Sequence, residues 1–268
     1  MPDEARFAAI SCVHVGPVSK DRERALEWLL DALENYQEAH GRLTHFVLLG
    51  DLFDAAAASV HPSDETQHSL EDEYEQGSQY LSTIRKALDK ECRLVWTLGN
   101  HDANVQIKDA RRIPSDIRSL CNWNMHPDFG DEFRRWSQIP YQKPSVHSQA
   151  GCFQLGQVVF CHGFDAGANS DELEGLQIAY ALGGSAWRLV VRGHTHRPKA
   201  VTQCKRSARV LLPYYYANAG TMGPLQPPYM IRKDTSQWGS GIVVGECKLG
   251  RVDRMRGKNW NANVLFNV

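Results

Sequence analysis

Leu98-Gly99-Asn100-His101-Asp102 follows directly on the apolar run Leu94-Val95-Trp96-Thr97, and this junction decides how the chain reads. A β-type run that stops in Gly-Asn-His-Asp sets an amide, an imidazole and a carboxylate at a strand's C-terminal end. Open α/β sheets hold their ligands there, and a metal site with a proton donor needs those three groups. Gly-Asn is also ordinary turn chemistry, so the tetrapeptide gains meaning from its company. Four other short runs share the layout of apolar strand followed by metal-type residues: Cys12-Val13-His14, Gly50-Asp51, Phe160-Cys161-His162-Gly163 and Gly193-His194-Thr195-His196.

Working outward, Phe7 to Val13 reads as a buried strand and His45 to Leu49 as a second. Between them Leu26, Leu29, Leu30, Leu33 and Tyr36 keep helical spacing, with Ser19 as N-cap, Asp21 and Glu23 in the first turn and Gly41 as C-cap. Strand, helix, strand at these lengths is a βαβ unit with parallel pairing. Residues 54–69 read as a loop. A second helix carries Leu70, Tyr74, Leu81, Ile84 and Leu88 on one face and a solvated acidic run on the other. Arg93 to Leu98 is the third strand. Residues 101–146 show no period and contain four prolines; they read equally as a pocket-shaping segment or as a plain connection. Val158 to Cys161 and Leu189 to Val191 are short central strands. Beyond His196 the chain turns β-rich at Val201 to Gln203, Val210 to Leu212, Tyr214 to Asn218, Ile242 to Glu246 and Arg251 to Met255. No repeat or linker interrupts it, so residues 1–268 read as one domain.

The 268 residues carry a net charge of −1, which offers no electrostatic case for a nucleic-acid or membrane partner. No apolar run approaches the roughly 20 residues of a membrane span, and Met-Pro-Asp-Glu-Ala-Arg does not begin like a signal peptide. Seven cysteines without a CxxC pair fit reduced thiols, so a cytoplasmic location is expected.

Most of the eleven histidines have no special context. His14, His162, His194 and His196 each follow a predicted strand, and the last two, two residues apart, share a face on extended backbone. Adding Asp51, Asn100 and Cys12 makes a nitrogen, oxygen and sulfur set larger than one ion takes from a protein. Two ions about 3.5–4 Å apart, sharing one carboxylate, are the arrangement that hydrolyses phosphate esters.

Together these motifs resemble the calcineurin-like metallophosphoesterases, whose pattern is DxH, GD, GNHD/E, a histidine in the fourth motif, and GHxH. The order agrees from residue 12 to 196, and Asn218-Ala219-Gly220-Thr221 is similar to the family's later Asn-Pro-Gly-Ser turn. The extended forms Gly50-Asp51-Leu52-Phe53-Asp54 and Gly193-His194-Thr195-His196-Arg197-Pro198 lean toward bacterial members, including those that hydrolyse UDP-diacylglucosamine. Cys12 departs from the pattern, standing where the family has Asp.

The resemblance implies an α/β four-layer α-β-β-α sandwich of two mixed sheets, with strands before and after residue 196 expected to form one sheet each. It implies two divalent ions, manganese, zinc or iron. One would take Cys12, His14, Asp51 and His196, and the other Asp51, Asn100, His162 and His194. His101 would contact the phosphate and protonate the leaving oxygen, and Asp102 would orient His101 or its loop. A metal-bound hydroxide would hydrolyse a phosphomonoester or phosphodiester, whether nucleotide, nucleic acid or lipid-linked. Thiolate at Cys12, if it ligates, favours zinc or iron over magnesium; the alternative is a small buried thiol beside a weakly held first ion. The competing reading is an inactive binding or scaffold protein that keeps this fold. Arg111, Arg112 and Arg197 are candidate phosphate contacts, and Trp238, Tyr229 and Tyr214 to Tyr216 candidate stacking surfaces.

Overall fold

The computed structural model describes residues 4–16, 19–55, 69–105, 122–145, 148, 150–182, 187–204, 213–227, 230, 234–250 and 257–267. Strands β1 (Glu4–Ile10) and β2 (His45–Leu48) pair in parallel around helix α1 (Lys20–His40), which is the expected βαβ unit. Ser19 accepts a hydrogen bond from the Arg22 N–H, and Gly41, at φ +86°, donates its own to Gln37 O. Both ends of α1 are therefore capped by the residues that the sequence nominates. Helix α2 (Leu70–Lys86) opens in a capping box between Ser69 and Asp72 and leads into β3 (Arg93–Thr97).

The remaining elements are α3 (Asn100–Val105), α4 (Gly130–Arg134), β4 (Ser137–Ile139), β5 (Phe153–Leu155), β6 (Val158–Phe160) and α5 (Ser170–Ala181). They are followed by β7 (Leu189–Arg192), β8 (Lys199–Gln203), β9 (Tyr215–Asn218), β10 (Gly241–Lys248) and β11 (Trp260–Phe266). One sheet runs β11-β10-β1-β2-β3-β4 and the other β5-β6-β7-β9-β8. Each combines parallel and antiparallel pairs.

Strand alternation builds the layers. Ala8, Ile10, Phe46, Leu48, Leu94 and Trp96 turn one face of the first sheet toward Leu29 and Leu33 of α1 and Leu81 and Ile84 of α2. Phe7, Ala9, Val47 and Val95 turn the other face toward Val158, Phe160, Leu189 and Val191 of the second sheet. Val159 and Val190 then meet Ile178 and Ala179 of α5 behind it. Helix, sheet, sheet and helix make the four layers. Each fully buried aliphatic or aromatic side chain is worth about 1.5–3 kcal/mol. A one-residue slip in a strand would exchange its two apolar sets, so the register is strongly held.

The strands do not divide at residue 196 as expected. β5, β6 and β7 precede that position yet form the second sheet with β8 and β9, while β10 and β11 complete the first. Phe7 of β1 pairs with Gly245 of β10. Alternation reveals a strand's buried faces but not which free backbone edge it will join. β1 also ends at Ile10 rather than Val13: Cys12 turns to φ +56°, and Val13 is fully buried without being in a strand. Val210 to Leu212, Arg251 to Met255 and residues 56–68 of the expected loop lie outside the described residues. No helix among those described is long and apolar enough to cross a membrane. Among the described residues, no disulfide joins Cys12, Cys92, Cys152, Cys161, Cys204 or Cys247.

Candidate metal centre

Five parallel-running strands deliver the seven candidate ligands from their C-terminal ends. Cys12 and His14 follow β1, Asp51 follows β2, Asn100 follows β3, His162 follows β6, and His194 and His196 follow β7. The backbone enters the left-handed region at the exits of β1, β2 and β7. Cys12, His14, Asp51, His194 and His196 have φ of +56°, +48°, +52°, +68° and +59°. Only two further described non-glycine residues, Ala55 and Trp187, share this left-handed region. Such conformations cost about 1–3 kcal/mol each and persist where surrounding structure over-determines them. Backbone strain is thus concentrated on the candidate ligands.

Close approach of the loops rests on glycine. A Cβ on Gly99 would lie 2.1 Å from Asp51 Oδ1, and one on Gly193 would lie 1.6 Å from Ser11 Oγ. No larger residue fits at either place.

His162 sits at the focus of one group. Its Nδ1 lies 2.7 Å from the carbonyl of Leu49. A carbonyl only accepts, so that nitrogen carries the proton, and a neutral ring points a lone pair from Nε2. That atom lies 3.1 Å from Asp51 Oδ2, 3.0 Å from Asn100 Oδ1 and 3.1 Å from His194 Nδ1. Burial first, then His162, pushes the His194 imidazole down to about 3, so that ring is neutral. One proton cannot serve all these electron-rich atoms, whereas a cation among them can. Donors about 2.0–2.2 Å from one ion stand roughly 3.0–3.5 Å apart, and each of the three atoms keeps that spacing from His162 Nε2.

A second group adjoins it. The His14 and His196 Nε2 atoms lie 3.2 Å apart, and Asp51 Oδ2 is 3.9 Å from His14 Nε2. Donor atoms of Cys12, His14 and His196 all lie within 4.8 Å of one another, as do those of Cys12, Asp51 and His162. Burial, then the His14 ring, holds His196 well below the usual imidazole range, and its Nδ1 has no hydrogen-bond partner among the described residues. Burial and then the Asp51 charge push the Cys12 thiol up, although its sulfur receives the His194 N–H at 3.3 Å. Asp51 lies between the two groups. Burial alone would raise its carboxyl, but the His162, His101 and His14 imidazoles outweigh it and hold the group well below the usual range.

Asp102 is fully buried and braces loops rather than a ring. It accepts hydrogen bonds from the N–H groups of Asp51, Leu52, Phe53 and Gly99 and from Trp96 Nε1, at 2.8–3.3 Å. Burial and then the Asp51 charge push its carboxyl up to about 6. The five donors have the geometry of an ionised acceptor, each charged bond being worth about 1.5–3 kcal/mol. The acidic residue that holds the His101 ring is Asp54, through its carbonyl at 2.5 Å from Nδ1 and a carboxylate oxygen at 3.8 Å. The same carboxylate oxygen is 3.3 Å from His14 Nδ1. Burial would lower the His101 pKa, but Asp51 and Asp54 outweigh it and leave the ring raised.

Asp54 was within reach of the sequence, since it closes the quoted run Gly50-Asp51-Leu52-Phe53-Asp54. Asn218, which donates to Gly193 O behind the turn, opens the quoted run Asn218-Ala219-Gly220-Thr221, whereas its partner Asp171 carries no local signal. The Trp238 ring stands edge-on to His196 with centroids 4.2 Å apart, and it lines an adjoining cleft of about 490 Å³ with Asp21, Leu225 and Thr235. Tyr141, from the aperiodic segment, meets the His162 ring at 5.9 Å. Arg111, Arg112 and Tyr229 lie outside the described residues.

Comparison with curated proteins yields no match. The profile of one family, described as Calcineurin-like phosphoesterase, matches residues 5–198. That span holds every strand end that supplies a candidate ligand, and the chain therefore belongs to the calcineurin-like phosphoesterase family.

Proposed function

We propose that this protein hydrolyses phosphate esters at a centre of two divalent ions. The observation that carries the reading is the convergence of Asp51, Asn100 and His194 on His162 Nε2 at 3.0–3.1 Å. Cys12, His14, Asp51 and His196 would hold one ion, and Asp51, Asn100, His162 and His194 the other. Bound there, the ions would lower the pKa of water and neutralise charge developing on the phosphate.

The chain's own residues do the rest. Burial keeps the imidazoles of His194 and His196 neutral and ready to ligate. Asp54 fixes the His101 ring from its Nδ1 side, leaving Nε2 to meet the phosphate and pass a proton to the leaving oxygen. Asp102 keeps the Asp51 and Gly99 loops in register. Thiolate at Cys12 favours zinc or iron in the first position. Residues 1–268 are taken as one domain, and the cytoplasm as its location on the strength of its cysteine usage.

The test is to strip the protein with a chelator, reload it separately with Mn²⁺, Zn²⁺ and Fe²⁺, and assay a panel of phosphomonoesters and phosphodiesters. Turnover that needs metal, with two ions per chain by elemental analysis, is expected. Folded, metal-loaded protein that turns over no ester would favour a binding role instead.

A further inference from the structure

We propose that Asp171, acting through Asn218, is a positioning residue for the turn that aims His194 and His196. The inference rests on the metal-centre reading above. Asn218, at the end of β9, is fully buried. Its Oδ1 accepts the Gly220 N–H at 2.8 Å, which fixes the amide's orientation. Its Nδ2 then faces Asp171 Oδ1 at 2.8 Å, Gly193 O at 3.0 Å and Thr195 Oγ1 at 2.8 Å. Two of those three acceptors belong to the turn itself. They flank His194, and Thr195 adjoins His196, the two left-handed residues at φ +68° and +59°.

Asp171 lies in the first turn of α5 and is anchored in its place. Arg192 Nη1 is 3.5 Å from Asp171 Oδ1 and 2.8 Å from Glu174 Oε2, all three being buried. Glu174 also accepts the N–H groups of Phe164 and Asp165, just beyond His162. Buried charges are an expensive way to attach a helix to a sheet, and Ile178 and Ala179 already do that further along α5. The charged end of the helix instead lies behind both histidine-bearing loops. An amide pinned between a carboxylate and the turn supplies the hydrogen bonds that hold a conformation its residues do not prefer.

Metal-free protein titrated with Mn²⁺ and with Co²⁺ tests this, reading affinity by calorimetry and geometry by the visible Co²⁺ spectrum. Asp171→Ala is expected to weaken ion binding about 10–100-fold and to change the spectrum, the size usual for residues that orient ligands. Asp171→Asn keeps a carbonyl oxygen facing the Asn218 amide and is expected to restore affinity to within about threefold of the parent. If Asp171→Ala does not fold, Thr195→Val removes the hydroxyl on the Asn218 amide and should weaken binding in the same sense. Wild-type affinity and spectrum in Asp171→Ala, or in Thr195→Val where that stands in, would overturn the inference. So would an Asp171→Asn no better than Asp171→Ala. Parent protein that takes up neither ion would instead overturn the metal centre itself, and this inference with it.

Discussion

His14 and His196, 182 residues apart in the chain, bring their Nε2 atoms to 3.2 Å from one another. One follows β1 of the first sheet and the other β7 of the second, so the pair marks where the two sheets open onto common ground. Asp51 lies next to both groups of donors, and the predictions begin with it.

Asp51→Asn is expected to be the most damaging single change. The amide keeps the shape but loses the charge that faces His162 and His14 at 3.1 and 3.9 Å. Turnover should fall by about 10²-fold or more, and the metal content should drop at both positions. Elemental analysis beside steady-state kinetics checks this. Parental turnover and metal content would show that no shared carboxylate is needed.

His101→Ala should lower kcat by roughly 10²–10⁴-fold while both ions stay bound. The ring stands with His14 and Asp51 in a group that could itself hold an ion, so metal retention is the deciding measurement. Esters with good leaving groups should lose less than poor ones, since they need less protonation. Loss of metal in this variant would make His101 a ligand instead.

Asp54→Ala separates two roles. It removes the carboxylate 3.3 Å from His14 Nδ1 and keeps the backbone carbonyl that holds His101. Ion affinity should therefore fall about tenfold or more, with kcat of the fully loaded protein much less affected than in His101→Ala. A titration of metal-free protein followed by assay at saturating ion distinguishes these outcomes. Unchanged affinity would mean that the His14 ring is oriented by other means.

Cys12→Asp restores the family residue and tests the thiolate. Burial raises the Cys12 thiol, so it is protonated without metal and must lose that proton to ligate. Ion affinity at this position should then rise about tenfold per pH unit in the parent near neutrality. The slope should flatten in Cys12→Asp, whose carboxyl ionises at lower pH. Preference should also move from zinc or iron toward manganese or magnesium. Aspartate tolerates the left-handed φ of +56° there better than most residues, so the variant should fold. Competition titrations at about pH 6 and pH 8 read both effects; identical slopes and preferences would take Cys12 out of the ligand set.

What the sequence determined by itself was local. Ser19 and Gly41 bounded α1, apolar runs marked the strands that carry the site, and five short motifs named the seven candidate ligands. Those signals are legible because capping, periodicity and ligand chemistry act within a few residues of one another. The tertiary structure alone decided that β10 and β11 join the first sheet, because a strand's free edge has no sequence mark. It also decided that Asp102 braces loops while Asp54 touches His101, since several carboxylates lay near in sequence and only the fold sets their directions. Asn218 stood in a quoted motif, but its pairing with Asp171 was invisible: the two lie 47 residues apart, and the left-handed turn that they brace exists only once the fold has formed.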